Sequence, residues 1–291
     1  SAIGHSPAWS DQHRGLIDDV VAALEWAFSG DGDKCIAVDL AVQAAPIFFH
    51  MSLLGECERW ATLALAELQG THQDMAHEIA LLEASSMASM FTRGNSEAIG
   101  SAIERALSLA TALGDEQREL HLLAGLNIFA SRSGEFRRAL SVAQRCVDVA
   151  TRRGDPAGMA LAEWIVGVSQ QLVGDQAAAR LHCERGFELA DSTDADELHF
   201  SFGYDHRVRA RAALARSLWL LGHPERAVTT ARDAVEEATR GHPLNLCLSC
   251  IYAVPVFLWT DDLEGAEALV ERIQALSARH SFSPYRAVGF A

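Results

Sequence analysis

Gly134-Glu-Phe-Arg-Arg-Ala139 is a short turn that leads into a helix, and copies of it recur along the chain. Close copies are Gly174-Asp-Gln-Ala-Ala-Ala179 and Gly222-His-Pro-Glu-Arg-Ala227, weaker ones begin at Gly55 and Gly94, and Asp261 fills the same slot last. Successive copies are separated by 39, 40, 40, 48 and 39 residues. A period near 40 with one longer interval indicates a helical repeat architecture.

A second set of glycines lies about half a period later, in Leu113-Gly114-Asp115, Arg153-Gly154-Asp155 and Arg240-Gly241-His242. Gly enters the left-handed conformation that ends a helix, and Asp caps the next helix. Each repeat is therefore predicted to be helix, Gly turn, helix, Gly turn. Small residues such as Ala139, Ala143 and Ala150 let neighbouring helices approach closely. The sequence predicts an all-α, tetratricopeptide-like α-solenoid, a right-handed superhelix of helix-turn-helix repeats.

Composition limits the classes of partner. Hydrophobic residues make up 49% of the chain, charged residues 22%, and the net charge is −15. A phosphate backbone or an anionic membrane would be repelled by most of such a surface, so no direct nucleic-acid or membrane binding is expected. The six cysteines lie in apolar helical segments and are predicted to be small core residues in a reducing compartment. With no signal peptide in the first 30 residues, we expect a cytoplasmic protein.

The predicted organisation has two parts. Residues 1–34 form an N-terminal linker and a helix that leads into the repeats, and residues 35–291 form the repeat superhelix. The long interval before Gly222 is interpreted as a lengthened connection at Asp191–Ser201, followed by an extended helix from about Leu198 to Leu221. A new first helix begins near Pro284, which leaves the last repeat truncated, so we expect the chain to be part of a longer protein.

Several strings resemble one family. His13–Phe28 looks like the helix that follows the nucleotide-binding region in bacterial signal-transduction (STAND-type) ATPases. Gly167–Arg180, Tyr204–Gly222 and Ser52–Glu58 look like the tetratricopeptide-like region of the same proteins, many of which carry an N-terminal winged-helix transcription-regulator domain. The resemblance covers about His13 to Ala291.

The resemblance implies a region that senses an effector or partner and controls neighbouring ATPase and DNA-binding domains of the full-length chain. These residues contain no Gly-x-x-x-x-Gly-Lys-Ser/Thr phosphate loop and no recognisable winged helix, so both activities are expected elsewhere. Two alternatives stay open: a stand-alone tetratricopeptide scaffold that binds peptides of an unrelated assembly, and an enzyme with a pocket between repeats. No catalytic motif is present, and no enzyme activity or cofactor is expected.

The first helix of each repeat is expected to line the concave face and to supply ligand contacts. Before Gly222, one helical face would present Asp205, Arg209, Arg216 and Trp219. These arginines are candidates to hold a small anionic effector or an acidic protein or peptide, with Trp219 as an apolar wall. The competing interpretation is that they pair with local acids and brace the helix. Preceding repeats would add four further candidates to the face: His121, Arg132, Trp164 and Gln171.

Cys247-x-x-Cys250 places two thiols on one helical face, but the surrounding segment is apolar and no second pair lies at zinc-ribbon spacing. We therefore interpret both as core residues and expect no metal site. Pro255 lies within the same apolar segment and is expected to kink its helix.

Overall fold

The computed structural model describes residues 14–68, 72–191 and 205–288. Within these ranges it contains fourteen helices and no strand. In chain order they are α1 (Arg14–Ala27), α2 (Lys34–His50), α3 (Leu54–Glu67), α4 (His72–Thr92), α5 (Glu97–Leu113), α6 (Glu116–Arg132), α7 (Phe136–Arg153), α8 (Pro156–Val173), α9 (Gln176–Asp191), α10 (His206–Leu220), α11 (Pro224–Ala238), α12 (Pro243–Trp259), α13 (Leu263–His280) and α14 (Ser283–Val288). No helix among these is long and apolar enough to cross a membrane.

The chain divides into two compact units, Ser1–Asp115 and Glu116–Ala291. In the first unit, α2 pairs with α3 and α4 with α5, and α1 packs on α2. In the second unit the pairs are α6–α7, α8–α9, α10–α11 and α12–α13, with α14 packed on α13. Each pair is one predicted repeat. The division of the chain at residue 34 stays a prediction, and α2 begins at Lys34.

Residues with a left-handed backbone conformation (positive φ) occupy most of the predicted turns. Gly134, Gly174 and Gly222 have φ of 76°, 98° and 84°, and Gly94 has 94°. Asp261 fills the last slot with φ of 59°, as the repeat alignment predicts. A side chain at positive φ is strained, which explains why Gly recurs here.

Two turns differ from the prediction. Gly55 lies inside α3, and the left-handed residue of that turn is Ser52, with φ of 59°. Gly241 does not adopt the left-handed conformation, because α11 ends at Thr239 with its backbone still right-handed. The glycine pattern therefore located these turns only to within three residues.

The prediction of one extended helix from about Leu198 to Leu221 is wrong at Asp205, the first residue of that range that the structure describes. The helix begins at His206, because Asp205 is extended (φ −98°, ψ 103°) and accepts hydrogen bonds from the backbone amides of Arg207 and Val208. This is an N-cap, which ends the helix on its N-terminal side. Residues 192–204, which include most of the predicted connection, lie outside the described residues.

Small residues form the contacts between helices. Ala139, Ala143 and Ala150 are fully buried, as predicted. Five of the six cysteines are buried free thiols, Cys247 and Cys250 among them, so their core interpretation is confirmed. Cys35 is a correction: it lies exposed in the first turn of α2, where the capping Asp33 accepts a hydrogen bond from its backbone amide.

Candidate functional site

The first helices of the repeats in the second unit lie side by side, α6 against α8, α8 against α10, and α10 against α12. We call these four helices the first-helix wall. The predicted site residues all lie on three of these helices or immediately before one of them. On α6 are His121 and Arg132, on α8 Trp164 and Gln171, on α10 Arg209, Arg216 and Trp219, and before α10 Asp205.

A buried polar network joins α6, α8 and α10. Arg209, only 6% exposed, donates to Oδ1 of Asn127 at 2.9 Å and to Oγ of Ser131 at 2.9 Å. Nδ2 of Asn127 donates to Oγ of Ser169 and to the carbonyl of Ala139, both at 2.8 Å. A buried guanidinium is tolerated only when its donors are satisfied. This network therefore fixes three helices of the wall relative to one another.

The arginines on α10 differ in their partners. Arg207 and Arg211 pair with the two carboxylate oxygens of Glu237 on α11, at 2.9 and 2.8 Å. Arg209 binds neutral polar groups instead. Arg207 and Arg211 therefore have the acidic partner that the bracing interpretation expected, whereas Arg209 is held by uncharged groups of α6.

Arg216 has no such partner. Its Nε is buried without a hydrogen bond, and within the described residues no carboxylate forms an ion pair with it. Burial lowers the pKa of this guanidinium, and the nearby Tyr252 of α12 acts in the opposite direction. Within the described residues, Arg216 is therefore a half-buried cation on the wall whose buried Nε donates no hydrogen bond.

Trp219 lies one helical turn after Arg216 and is half-buried. Its ring contacts Trp259 of α12, with centroids 4.7 Å apart and an interplanar angle of 35°. Trp259 is 37% exposed, and its neighbour Leu258 is 52% exposed. The end of α12 thus presents apolar surface next to Trp219.

Two other candidates, Trp164 and Gln171 of α8, are buried. Trp164 is 1% exposed and packs against Phe187 of α9, with centroids 5.7 Å apart. A Cβ on Gly186 would lie 2.5 Å from Cδ1 of Trp164, so Gly is required there for this packing. Gln171 is 8% exposed, and its carbonyl accepts from Nε2 of Gln176 at 3.2 Å.

Near the two ends of α6, His121 and Arg132 are both half-buried. Arg132 hydrogen-bonds the hydroxyl of Tyr285, and its guanidinium lies 5.0 Å from the centre of that ring. Burial holds the pKa of His206 well below its usual value, and the charges of Arg209 and His121 lower that pKa further. These contacts connect α6 to α10 and α14.

Asp205 does not belong to the helical face predicted for it, because it caps α10 from outside the helix. Its backbone amide also donates to Oδ1 of Asn245 at 3.0 Å. Burial raises the pKa of its carboxyl, and Glu237 acts in the same direction. Its visible role is to start α10 in the correct place for the arginines that follow.

Residues of the wall that were missed from the sequence include Asn127, Ser169, Tyr252 and Trp259. Asn127 stands alone in the apolar run Leu122–Ala130, and a polar amide in such a run usually has a buried partner. Asn127 was therefore an indication, present in the sequence, of the buried polar network that joins α6, α8 and α10. The other three residues are ordinary members of their helices.

Comparisons with known proteins rest on structure. No family model and no curated protein matches the chain. A STAND protein with a tetratricopeptide repeat sensor from Pyrococcus horikoshii has a TM-score of 0.58 at 15% identity, over 96% of this chain and 42% of that one. The chain thus spans less than half the length of that protein.

Two further solved structures are similar. Aspartyl phosphate phosphatase F from Bacillus subtilis has a TM-score of 0.62 at 14% identity, over 84% of this chain and 60% of that one. A Rap protein in complex with Competence and Sporulation Factor has a TM-score of 0.60 at 13% identity, over 92% of this chain and 79% of that one. At these identities the likeness establishes the fold, an all-α tetratricopeptide-like solenoid.

Proposed function

We propose that this chain is the sensor and protein-interaction region of a bacterial, cytoplasmic, ATP-dependent transcription regulator. It binds an effector or partner on the first-helix wall of the second unit and transmits that state to neighbouring ATPase and DNA-binding domains. The region itself catalyses no reaction. Its ligand is a protein or peptide, or a small anionic effector.

One observation carries the regulator proposal: the similarity to a STAND protein with a tetratricopeptide repeat sensor covers 96% of this chain. The sequence strings that resemble STAND-type ATPases point to the same class independently. The wall supports a binding role, because it combines a half-buried cation, Arg216, which has no ion pair among the described residues, with partly exposed tryptophans. Buried aromatic and Arg side chains are the groups that contribute most binding energy at interfaces.

The reading frame that encodes these residues tests the regulator proposal. We expect it to encode a Gly-x-x-x-x-Gly-Lys-Ser/Thr phosphate loop upstream of Arg14. The purified full-length protein should hydrolyse ATP, and deletion of residues 14–288 should change that rate. A reading frame without a phosphate loop, or an ATPase rate indifferent to the deletion, contradicts the proposal.

A stand-alone scaffold is the second candidate. The observation that favours it is the similarity to aspartyl phosphate phosphatase F and to a Rap protein, over 84% and 92% of this chain. The same reading frame separates the two candidates, since a scaffold requires no ATPase domain. A protein that binds its partner without any phosphate loop in its chain supports the scaffold.

A further inference from the structure

A site of mixed chemistry lies where α10 meets α12. Arg216 and Trp219 of α10 share one helical face, as do Tyr252 and Trp259 of α12. The two tryptophans are in contact, and Tyr252 is close enough to Arg216 to affect the pKa of its guanidinium. The two helices thus place a polar pair and an aromatic pair on one surface. We call these four side chains the α10–α12 site.

We infer that the α10–α12 site binds an acidic peptide segment, with one carboxylate held by Arg216 and Tyr252 and an adjacent apolar side chain packed on the tryptophan pair. This inference rests on the proposed function and adds the chemical class of its ligand. Tyr252 and Trp259 are new members of the site, and Arg209 is assigned to bracing the wall.

The unsatisfied cation argues for an anionic ligand. A guanidinium with a buried, unpartnered Nε is costly, whereas a carboxylate would provide charge-assisted hydrogen bonds. Arg207 and Arg211 on the same helix already have Glu237 as partner. Arg216 is the arginine of α10 whose buried Nε has neither an ion pair nor a hydrogen bond among the described residues. The hydroxyl of Tyr252 can donate a hydrogen bond to the same carboxylate.

The spacing of the site suits a short peptide. Trp219 lies three residues after Arg216, about 4.5 Å along the helix axis, and Trp259 lies seven after Tyr252, about 10 Å. An extended peptide advances about 3.3 Å per residue, so a carboxylate and an apolar side chain two or three residues apart are separated by about 7–10 Å, within the range of these two spacings. The exposed surface of Trp259 and Leu258 can accept that apolar side chain.

The charge of the chain favours a peptide over a polyanion. With a net charge of −15, the chain as a whole repels a nucleic acid or an anionic lipid surface. One isolated cation next to aromatic rings instead matches a single carboxylate flanked by apolar groups. Desolvation of the partly buried Arg216 strengthens its interaction with that carboxylate.

The probe is a set of acetylated, amidated, fluorescein-labelled peptides in which Glu and Leu are separated by one, two or three residues. Each peptide has a Glu→Gln counterpart, and binding to the 291-residue chain is followed by fluorescence anisotropy. At least one Glu peptide should bind, and its Gln counterpart should bind about tenfold or more weakly. Absence of binding by every Glu peptide up to about 1 mM overturns the inference.

Matched variants assign the binding to the α10–α12 site. Arg216→Gln should reduce the Glu-to-Gln affinity ratio to about one, because the charged partner is lost. Arg211→Gln, the same substitution one and a half turns earlier, should preserve the ratio. Trp219→Ala should weaken Glu and Gln peptides alike. An unchanged ratio in Arg216→Gln overturns the site, whatever the outcome of the ATPase experiment.

Conservative variants guard against loss of the fold. Far-UV circular dichroism and thermal melting accompany every titration. If Arg216→Gln does not fold, Arg216→Lys and Tyr252→Phe replace it. Each should lower the Glu-to-Gln ratio severalfold, since Lys cannot bind a carboxylate in bidentate fashion and Phe cannot donate a hydrogen bond. Wild-type ratios in both variants contradict the inference. Peptide binding without any phosphate loop in the reading frame would refute the regulator proposal and leave this site intact.

Discussion

Replacing Arg209 with Ala should destabilise the second unit, and its effect should not be limited to the loss of one ligand contact. The side chain is 6% exposed and donates to Asn127 and Ser131. Its removal leaves Oδ1 of Asn127, a residue with no exposed surface, without the guanidinium that it accepts from. A buried acceptor that loses its donor costs about 1–3 kcal/mol.

The net change follows from opposing contributions. Two charge-assisted hydrogen bonds and the packing of the Arg209 stem are lost, while the cost of keeping a guanidinium buried disappears. We expect the free energy of unfolding to fall by about 2–4 kcal/mol. Arg216→Ala is the control on the same helix. It breaks no hydrogen bond among the described residues, so its effect should stay below about 1 kcal/mol.

Urea unfolding followed by far-UV circular dichroism gives the overall change, and native-state hydrogen exchange locates it. Protection should fall in α6, α8 and α10, the helices that the network joins, and stay unchanged in residues 14–68. Asn127→Ala combined with Arg209→Ala should cost clearly less than the sum of the two single variants. A stabilising role for Arg209 is excluded if the free energy of unfolding of Arg209→Ala lies within about 0.5 kcal/mol of the wild-type value, or if the effects of the two substitutions are additive.

Three further predictions concern other parts of the chain. Gly186→Ala should lower the free energy of unfolding by about 1–3 kcal/mol, because its Cβ would lie 2.5 Å from Cδ1 of Trp164. Gly55→Ala is the control and should be neutral or stabilising, since a Cβ there would have nothing within 4 Å. Equal effects of the two substitutions on stability would contradict the packing of Gly186 against Trp164. Burial and neighbouring positive groups hold the pKa of His206 well below 6.5 in the folded chain. As the pH falls, His206 is therefore protonated in the unfolded chain before it is protonated in the folded chain. Stability should therefore fall as the pH drops below about 6.5, by up to about 1.4 kcal/mol per pH unit. A His206→Asn variant with the wild-type dependence of the urea midpoint on pH would refute this. Cys35 is exposed, and burial raises the pKa of Cys57, Cys146 and Cys183 to about 12. One thiol per native chain should react rapidly with a disulfide reagent, and Cys35→Ser should abolish that phase; a fast phase that survives the substitution would contradict it.

The repeat architecture was predictable because its signals are local. A left-handed residue at a helix end favours Gly in any tertiary context, and Gly134, Gly174 and Gly222 confirm it. Asp261 was predicted by position alone. Ser52 was not, because nothing in its neighbours distinguishes it from the glycine three residues later.

The site was harder to predict because it depends on which side chains meet across helices. Helical spacing placed Asp205 and Arg209 on one face, but an Asp immediately before a helix can equally cap it, and Asp205 does so here. Spacing also cannot distinguish Arg209, which donates to Asn127 of α6, from Arg216, whose buried Nε has no such partner in the described part of the chain. The residue that determines the difference lies 82 positions away.

Hydrogen exchange of the chain, measured with and without a saturating acidic peptide, tests whether a ligand binds on the first-helix wall. We expect increased protection in α10 and α12, the helices that carry Arg216, Trp219, Tyr252 and Trp259. The second helices α11 and α13 should change little. Protection confined to α11 and α13, or to residues 14–68, would contradict binding on the first-helix wall.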